Sequence, residues 1–178
     1  MSKNVLILSS TPRKNGNSSI LCDRFAEGAG AAGHTVERVD LREKTIHPCS
    51  GCGACARTGE CMQKDDMAAL LDSMVTADTI VMATPVYFYT MCAQMKAAID
   101  RTVPRYTEIR NKEFYFIVTA ADGNRKAMER TLEGFRGFTS CLNGAKEKGV
   151  VLGVGAWEIG AIRGTKAMDE AFKMGRSV

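Results

Sequence analysis

Short apolar runs alternate with segments of helical period along this chain. Val5-Leu6-Ile7-Leu8 predicts a buried strand, and the following pattern through Ile20, Leu21, Phe25 and Ala26 predicts a helix that ends at Gly33. His34 to Leu41 alternates imperfectly, as an edge strand does. Asp65-Asp66 opens a second helix, whose apolar face is Met67, Leu70, Leu71, Met74 and Val75. Thr79 to Ala83 is a short apolar run suited to a buried parallel strand. A helix is expected from about Met91 to Arg101, with Met95, Ala98, Ile99 and Val103 inward. Phe114 to Val118 is the fourth strand, Lys126 to Leu142 a helix, Val150 to Val154 the fifth strand, and Lys166 to Met174 the last helix.

This alternation predicts an α/β domain over residues 1–178, a doubly wound five-stranded parallel sheet with helices on both faces. In such sheets ligands lie beyond the carboxyl ends of the strands, where strand order reverses. Three notable loops leave those ends. They are Ser9 to Ser19 after the first strand, Pro85 to Tyr89 after the third, and Thr119 to Asn124 after the fourth. They should converge on one site.

The first loop is rich in hydroxyls, carries Arg13 and Lys14, and runs directly into a helix. A helix start directs free N–H groups at one spot, and a guanidinium adds a fork that fits phosphate oxygens. The stretch reads as a phosphate cradle. It is neither a G-x-x-x-x-G-K-[ST] loop nor a G-x-G-x-x-G fingerprint, since Gly16 stands alone. The other reading is a polar turn with ordinary capping residues. A ligand with one phosphate, a flexible middle and a flat head fits the set of loops, and flavin mononucleotide (FMN) has that shape. Ala120 and Ala121 are small enough for close backbone approach to a ring edge, and the loop continues through Asp122 and Gly123. For Tyr87-Phe88-Tyr89 the competing reading is core or interface packing.

Net charge is +4 with Lys and Arg scattered, which does not call for nucleic acid. No apolar run approaches the ~20 residues that span a bilayer. The start of the chain lacks a signal-peptide pattern, so a cytoplasmic location is expected. The cysteine count of 7 is odd and argues against a disulfide framework. Cys49, Cys52, Cys55 and Cys61 crowd into an aperiodic segment at about 42–64, which is long enough to read as functional. Their compact spacing suits an iron–sulfur cubane. Zinc, a local thiol redox pair and free thiols remain alternatives. Cys22, Cys92 and Cys141 lie on helical patterns and read as core, while His34 and His47 are isolated.

Ser10 to Ser18, Pro85-Val86-Tyr87-Phe88 and Ala93 to Arg101 together resemble the NADPH-dependent FMN reductase family, nearest its iron–sulfur flavoprotein branch. The resemblance implies a flavodoxin-like fold, strand order 2-1-3-4-5, and bound FMN. It assigns Ser10, Pro12, Arg13, Asn17 and Ser18 to the phosphate end and Pro85, Val86, Tyr87 and Phe88 to the ring; the chemistry of the loops adds the Thr11 hydroxyl at the phosphate and the backbone of Ala121, Asp122 and Gly123 beside the ring. It maps Cys49, Cys52, Cys55 and Cys61 onto the ligands of a [4Fe–4S] cluster. It also implies a homodimer or homotetramer. Relatives often carry Gly where Tyr89 stands; if φ is positive there, a Tyr is costly.

The expected activity is electron transfer from NAD(P)H or a protein donor to an acceptor such as a flavin, quinone or nitro compound. The cofactor does the chemistry, with no side-chain catalyst required. The alternatives are an electron-transfer or redox-sensing flavoprotein without small-substrate turnover, and a thiol or zinc-binding regulatory module.

Overall fold

The computed structural model describes all 178 residues. Strand β1 (Asn4–Ser9) leads into α1 (Asn17–Ala31), and β2 (Thr35–Asp40) into the cysteine segment with its one-turn α2 (Cys55–Thr58). Then come α3 (Met67–Thr76), β3 (Thr79–Tyr87), a short β4 (Thr90–Met91), α4 (Ala93–Asp100), β5 (Glu113–Thr119), α5 (Glu129–Ser140), β6 (Lys146–Gly153) and α6 (Lys166–Arg176). The main sheet is parallel, in the order β2-β1-β3-β5-β6. Counted without β4, that is the expected 2-1-3-4-5 order of a flavodoxin-like fold. β4 is an addition to the expected five strands. It pairs antiparallel with the end of β3, Tyr87 opposite Thr90.

The apolar runs look continuous because the central strands are buried on both faces. Leu6, Leu8, Phe114 and Phe116 pack under α3, α4 and α5, while Val5, Ile7, Tyr115 and Ile117 pack under α1 and α6. α1 and α6 approach closely through Gly28 and Gly175. A Cβ on either glycine would run into the backbone carbonyl of Phe172 or Phe25, respectively. β2 is a half-exposed edge strand, as its pattern predicts.

The differences from expectation lie at edges and chain reversals. β6 starts at Lys146 instead of Val150, because its first residues form an exposed edge with no apolar signal. Val103 is exposed, since α4 ends at Asp100 and the helical period no longer applies. Cys22 and Cys92 are buried, but Cys141 is exposed just beyond α5. No helix is long and apolar enough to cross a membrane.

Candidate functional site

The β1–α1 loop lies at the switch point, where β1 has β2 on one side and β3 on the other. Ser10 fastens it to β3: its N–H and its hydroxyl both donate to the Ala83 carbonyl, at 3.0 and 2.8 Å. The Cys92 thiol lies 3.1 Å from that hydroxyl. Ser10 is thus committed to holding the loop. Downstream, Thr11 Oγ1 accepts from the Arg13 N–H and the Gly16 N–H donates to the Arg13 carbonyl, which closes the turn. A Cβ on Gly16 would stand 2.5 Å from Thr11 Oγ1, so the tight turn requires glycine there.

α1 begins without a side-chain cap and without an acidic residue in its first turn. The first intrahelical donor is Ile20, whose N–H reaches the Gly16 carbonyl. The N–H groups of Asn17, Ser18 and Ser19 therefore carry the helix's uncompensated positive end. Ser18 adds a buried hydroxyl with no hydrogen-bond partner. These free donors beside the Arg13 guanidinium fit a dianion, and the phosphate of FMN is such a group.

One hollow of about 90 Å³ gathers the three loops, lined by Thr11, Arg13, Gly16, Asn17, Pro85, Val86, Tyr87, Thr119 and Ala121, with Ala156 and Trp157. Several expected residues stand elsewhere. Ser10 and Ser18 are buried behind the loop, and Pro12 is exposed outside the hollow. Phe88 projects wholly into solvent. Asp122 and Gly123 also lie outside; the Asp122 side chain accepts from the Asn124 N–H at 2.8 Å. The Asn17 side chain is used in another way. Its amide donates to the Ala156 and Glu158 carbonyls, at 3.0 and 2.8 Å, and accepts from the Gly160 and Ile162 N–H groups. It ties the loop after β6 against the cradle. Arg13 Nη1 joins it by donating to the Trp157 carbonyl at 2.8 Å. Ala156 and Trp157 were not among the sequence-predicted site residues; Trp157, the chain's single tryptophan in a glycine-rich strand exit, was the available signal.

The aromatic turn is tight and strained. Phe88 and Tyr89 have φ of 49° and 64°, both left-handed, between the paired Tyr87 and Thr90. A two-residue hairpin of this kind favours Asn-Gly. Tyr89 thus occupies the positive-φ position that was the condition for strain.

The cysteine segment forms a second centre. Cys49, Cys52, Cys55 and Cys61 all line one hollow, with Arg101 and Pro104 as part of its wall. Gly51, Gly53 and Gly59 are left-handed, with φ between 67° and 75°, and bend the segment around that hollow. No three cysteine, histidine or acidic side chains are gathered closely enough to hold a metal ion. The donor set, four thiols lining one space with a single carboxylate, Asp100, that is paired with Lys96, has the chemistry of an iron–sulfur site. The Ala54 N–H and then the Ser50 hydroxyl draw the Cys52 thiol below its ordinary pKa, favouring the thiolate. A wider recess of about 430 Å³ lies beside it, between the segment and α3, lined by Cys61, Lys64, Asp65, Asp72 and Arg105 among others. Its wall carries the Asp65 and Asp72 carboxylates, and Asp65 already accepts from the Met67 N–H at the start of α3, so the recess is less suited to an anion than the smaller hollow.

Comparison with known proteins bears on the family and the fold. An iron–sulfur flavoprotein of Methanocaldococcus jannaschii is 32% identical over 136 residues, covering 75% of this chain and 70% of that protein. One from Archaeoglobus fulgidus is 43% identical over 94 residues, covering 53% of this chain and 43% of that protein. Against this relative the matched stretch is less than half the relative's length. Among solved structures, the Trp repressor binding protein of Bacillus subtilis superposes with a TM-score of 0.73 at 24% identity, covering 97% of this chain and 99% of the other. An FMN-dependent NADH-azoreductase of Bacillus anthracis, solved in complex with FMN, superposes at 0.70 with 15% identity, covering 99% and 97%. Both likenesses are of fold. The family description that matches residues 3–161 is NADPH-dependent FMN reductase, and the chain belongs to that family.

Proposed function

We propose that this chain binds FMN in the hollow at the switch point and works as an FMN-dependent oxidoreductase, taking electrons from NAD(P)H and passing them to a small acceptor of the quinone, flavin or nitro type. The observation that carries the reading is the uncapped start of α1, with free N–H groups at Asn17 to Ser19 beside Arg13. Family membership and the quinone- and azo-reductase names of structural neighbours support it. FMN, when bound, supplies reversible hydride acceptance and single-electron transfer.

The chain's residues bind and orient. Arg13, Thr11 and the first N–H groups of α1 hold the phosphate. Pro85, Val86 and Tyr87 provide an apolar and aromatic wall for the ring. Thr119 and Ala121 are small and leave backbone groups within reach of its edge. Trp157 and Ala156, fixed through Asn17, close the remaining side and exclude water. No acid, base or nucleophile is needed on a side chain. Assembly as a homodimer or homotetramer belongs to the same reading, and exposed Phe88, Tyr89, Trp157 and Ile159 around the hollow are the surface that suits it.

A second reading adds an iron–sulfur cluster on Cys49, Cys52, Cys55 and Cys61, and it is favoured by the convergence of all four on one hollow. The iron–sulfur flavoprotein names of relatives support it. With such a centre the protein would serve single-electron donors or acceptors as well. Anaerobic purification with an absorption spectrum and FMN, iron and sulfide analysis tests both readings. The expected result is one FMN per chain, bleached by NAD(P)H and reoxidised by a quinone. A colourless protein with stoichiometric zinc would overturn them.

A further inference from the structure

Arg101 is among the largest fully buried side chains of the molecule, and it stands at the end of α4. Its guanidinium is only partly satisfied. Nη1 donates to Asp65 Oδ2 and to the His47 carbonyl, at 2.7 and 2.8 Å, and Nη2 donates to Asp65 Oδ1 at 2.9 Å. Nε is buried and has no hydrogen-bond partner. A charged donor left bare in the interior is costly unless something accepts it. Arg101 lines the hollow shared by the four cysteines.

We propose, resting on the iron–sulfur reading above, that Arg101 donates its Nε–H to a sulfur of the cluster centre, at the Cys61 side, and thereby sets the cluster's reduction potential. Cys61 and Arg101 together line both the cysteine hollow and the wider recess beside it, which makes Cys61 the cysteine on the Arg101 side. Asp100, the acidic residue on the same wall, is paired with Lys96 at 2.6 Å, so its charge is partly offset. A positive donor at sulfur stabilises the reduced, more negative state and raises the potential. Asp65 works against this by neutralising Arg101. Arg101 is then a tuning residue: it holds no iron, but the thiolates around the iron depend on it.

The test uses anaerobically reconstituted protein. Iron and sulfide content of the parent come first: a parent without cluster iron overturns the underlying reading. With the cluster in place, Arg101→Lys, which keeps a charge and loses Nε, is expected to retain iron and show a lower potential. Asp65→Asn is expected to show a higher potential, because Arg101 is left uncompensated. A purely structural ion pair would move both variants in the same direction or neither, and that result overturns the proposal. Where a variant fails to fold, the parent decides. Pulsed EPR of the reduced cluster in ¹⁵N-arginine-labelled protein is expected to show a coupled arginine nitrogen, and its absence overturns the proposal.

Discussion

Arg101 and Asp65 form a two-pronged ion pair, with both side chains at most 2% exposed. Asp65 also accepts from the His47 and Met67 N–H groups, at 3.0 and 3.2 Å, so one carboxylate pins the start of the cysteine segment, the start of α3 and the end of α4. Hydrogen bonds from Arg101 dominate and hold the Asp65 carboxyl at a pKa of about 2, below its ordinary 3.8. A depressed carboxyl stabilises the fold above its unfolded pKa and loses that contribution as pH falls through the folded one. The shift corresponds to about 2 kcal/mol. Urea denaturation should find Asp65→Asn less stable than the parent by about that amount at neutral pH, with the gap narrowing once pH drops below about 4. A gap independent of pH would contradict this.

Asn17 is an anchor by its side chain, while its backbone N–H stands free at the start of α1. Asn17→Ala removes four hydrogen bonds to the 156–162 loop and leaves the Gly160 and Ile162 N–H groups unpaired. The expected loss is about 2–4 kcal/mol. Hydrogen exchange should quicken at Gly160 and Ile162 while the central strands stay protected.

The Phe88-Tyr89 turn carries two left-handed residues that lack glycine's freedom. Replacing the pair by Asn-Gly should stabilise the protein by roughly 1–2 kcal/mol, less a fraction for the lost stacking of Arg130 on Tyr89. Strain of this kind persists where surroundings require it, commonly at binding sites. The stabilised variant should therefore turn over substrate more slowly, measured as NAD(P)H-dependent quinone reduction.

The central strands were readable because burial on both faces leaves unbroken apolar runs, as at Val5 to Leu8 and Phe114 to Val118. The start of β6 was not, because Lys146-Glu147-Lys148 is an exposed edge. The hairpin was hidden because Phe-Tyr is not a turn sequence. In the site, the cradle was legible through local chemistry: hydroxyls, Arg13 and a strand leading into a helix. The anchoring role of Asn17 was not, since its partners lie 139 to 145 residues away, a separation no local pattern encodes. Arg101 stood in the recognised motif, but its burial beside the cysteines depends on tertiary packing alone.

Arg13 is exposed and makes one hydrogen bond, so its removal should spare the fold. Arg13→Ala is expected to weaken FMN binding by about ten- to a hundredfold, from loss of a charge-assisted phosphate contact worth about 1.5–3 kcal/mol. Thermal denaturation of the flavin-free protein should be nearly unchanged.

The most direct measurement is a titration of flavin-free protein with FMN and, in parallel, riboflavin, followed by quenching of flavin fluorescence. One FMN should bind per chain, at least tenfold more tightly than riboflavin, which has the same ring and no phosphate. Equal affinity for the two, or no binding of either, would contradict a site built on capture of the phosphate at the start of α1.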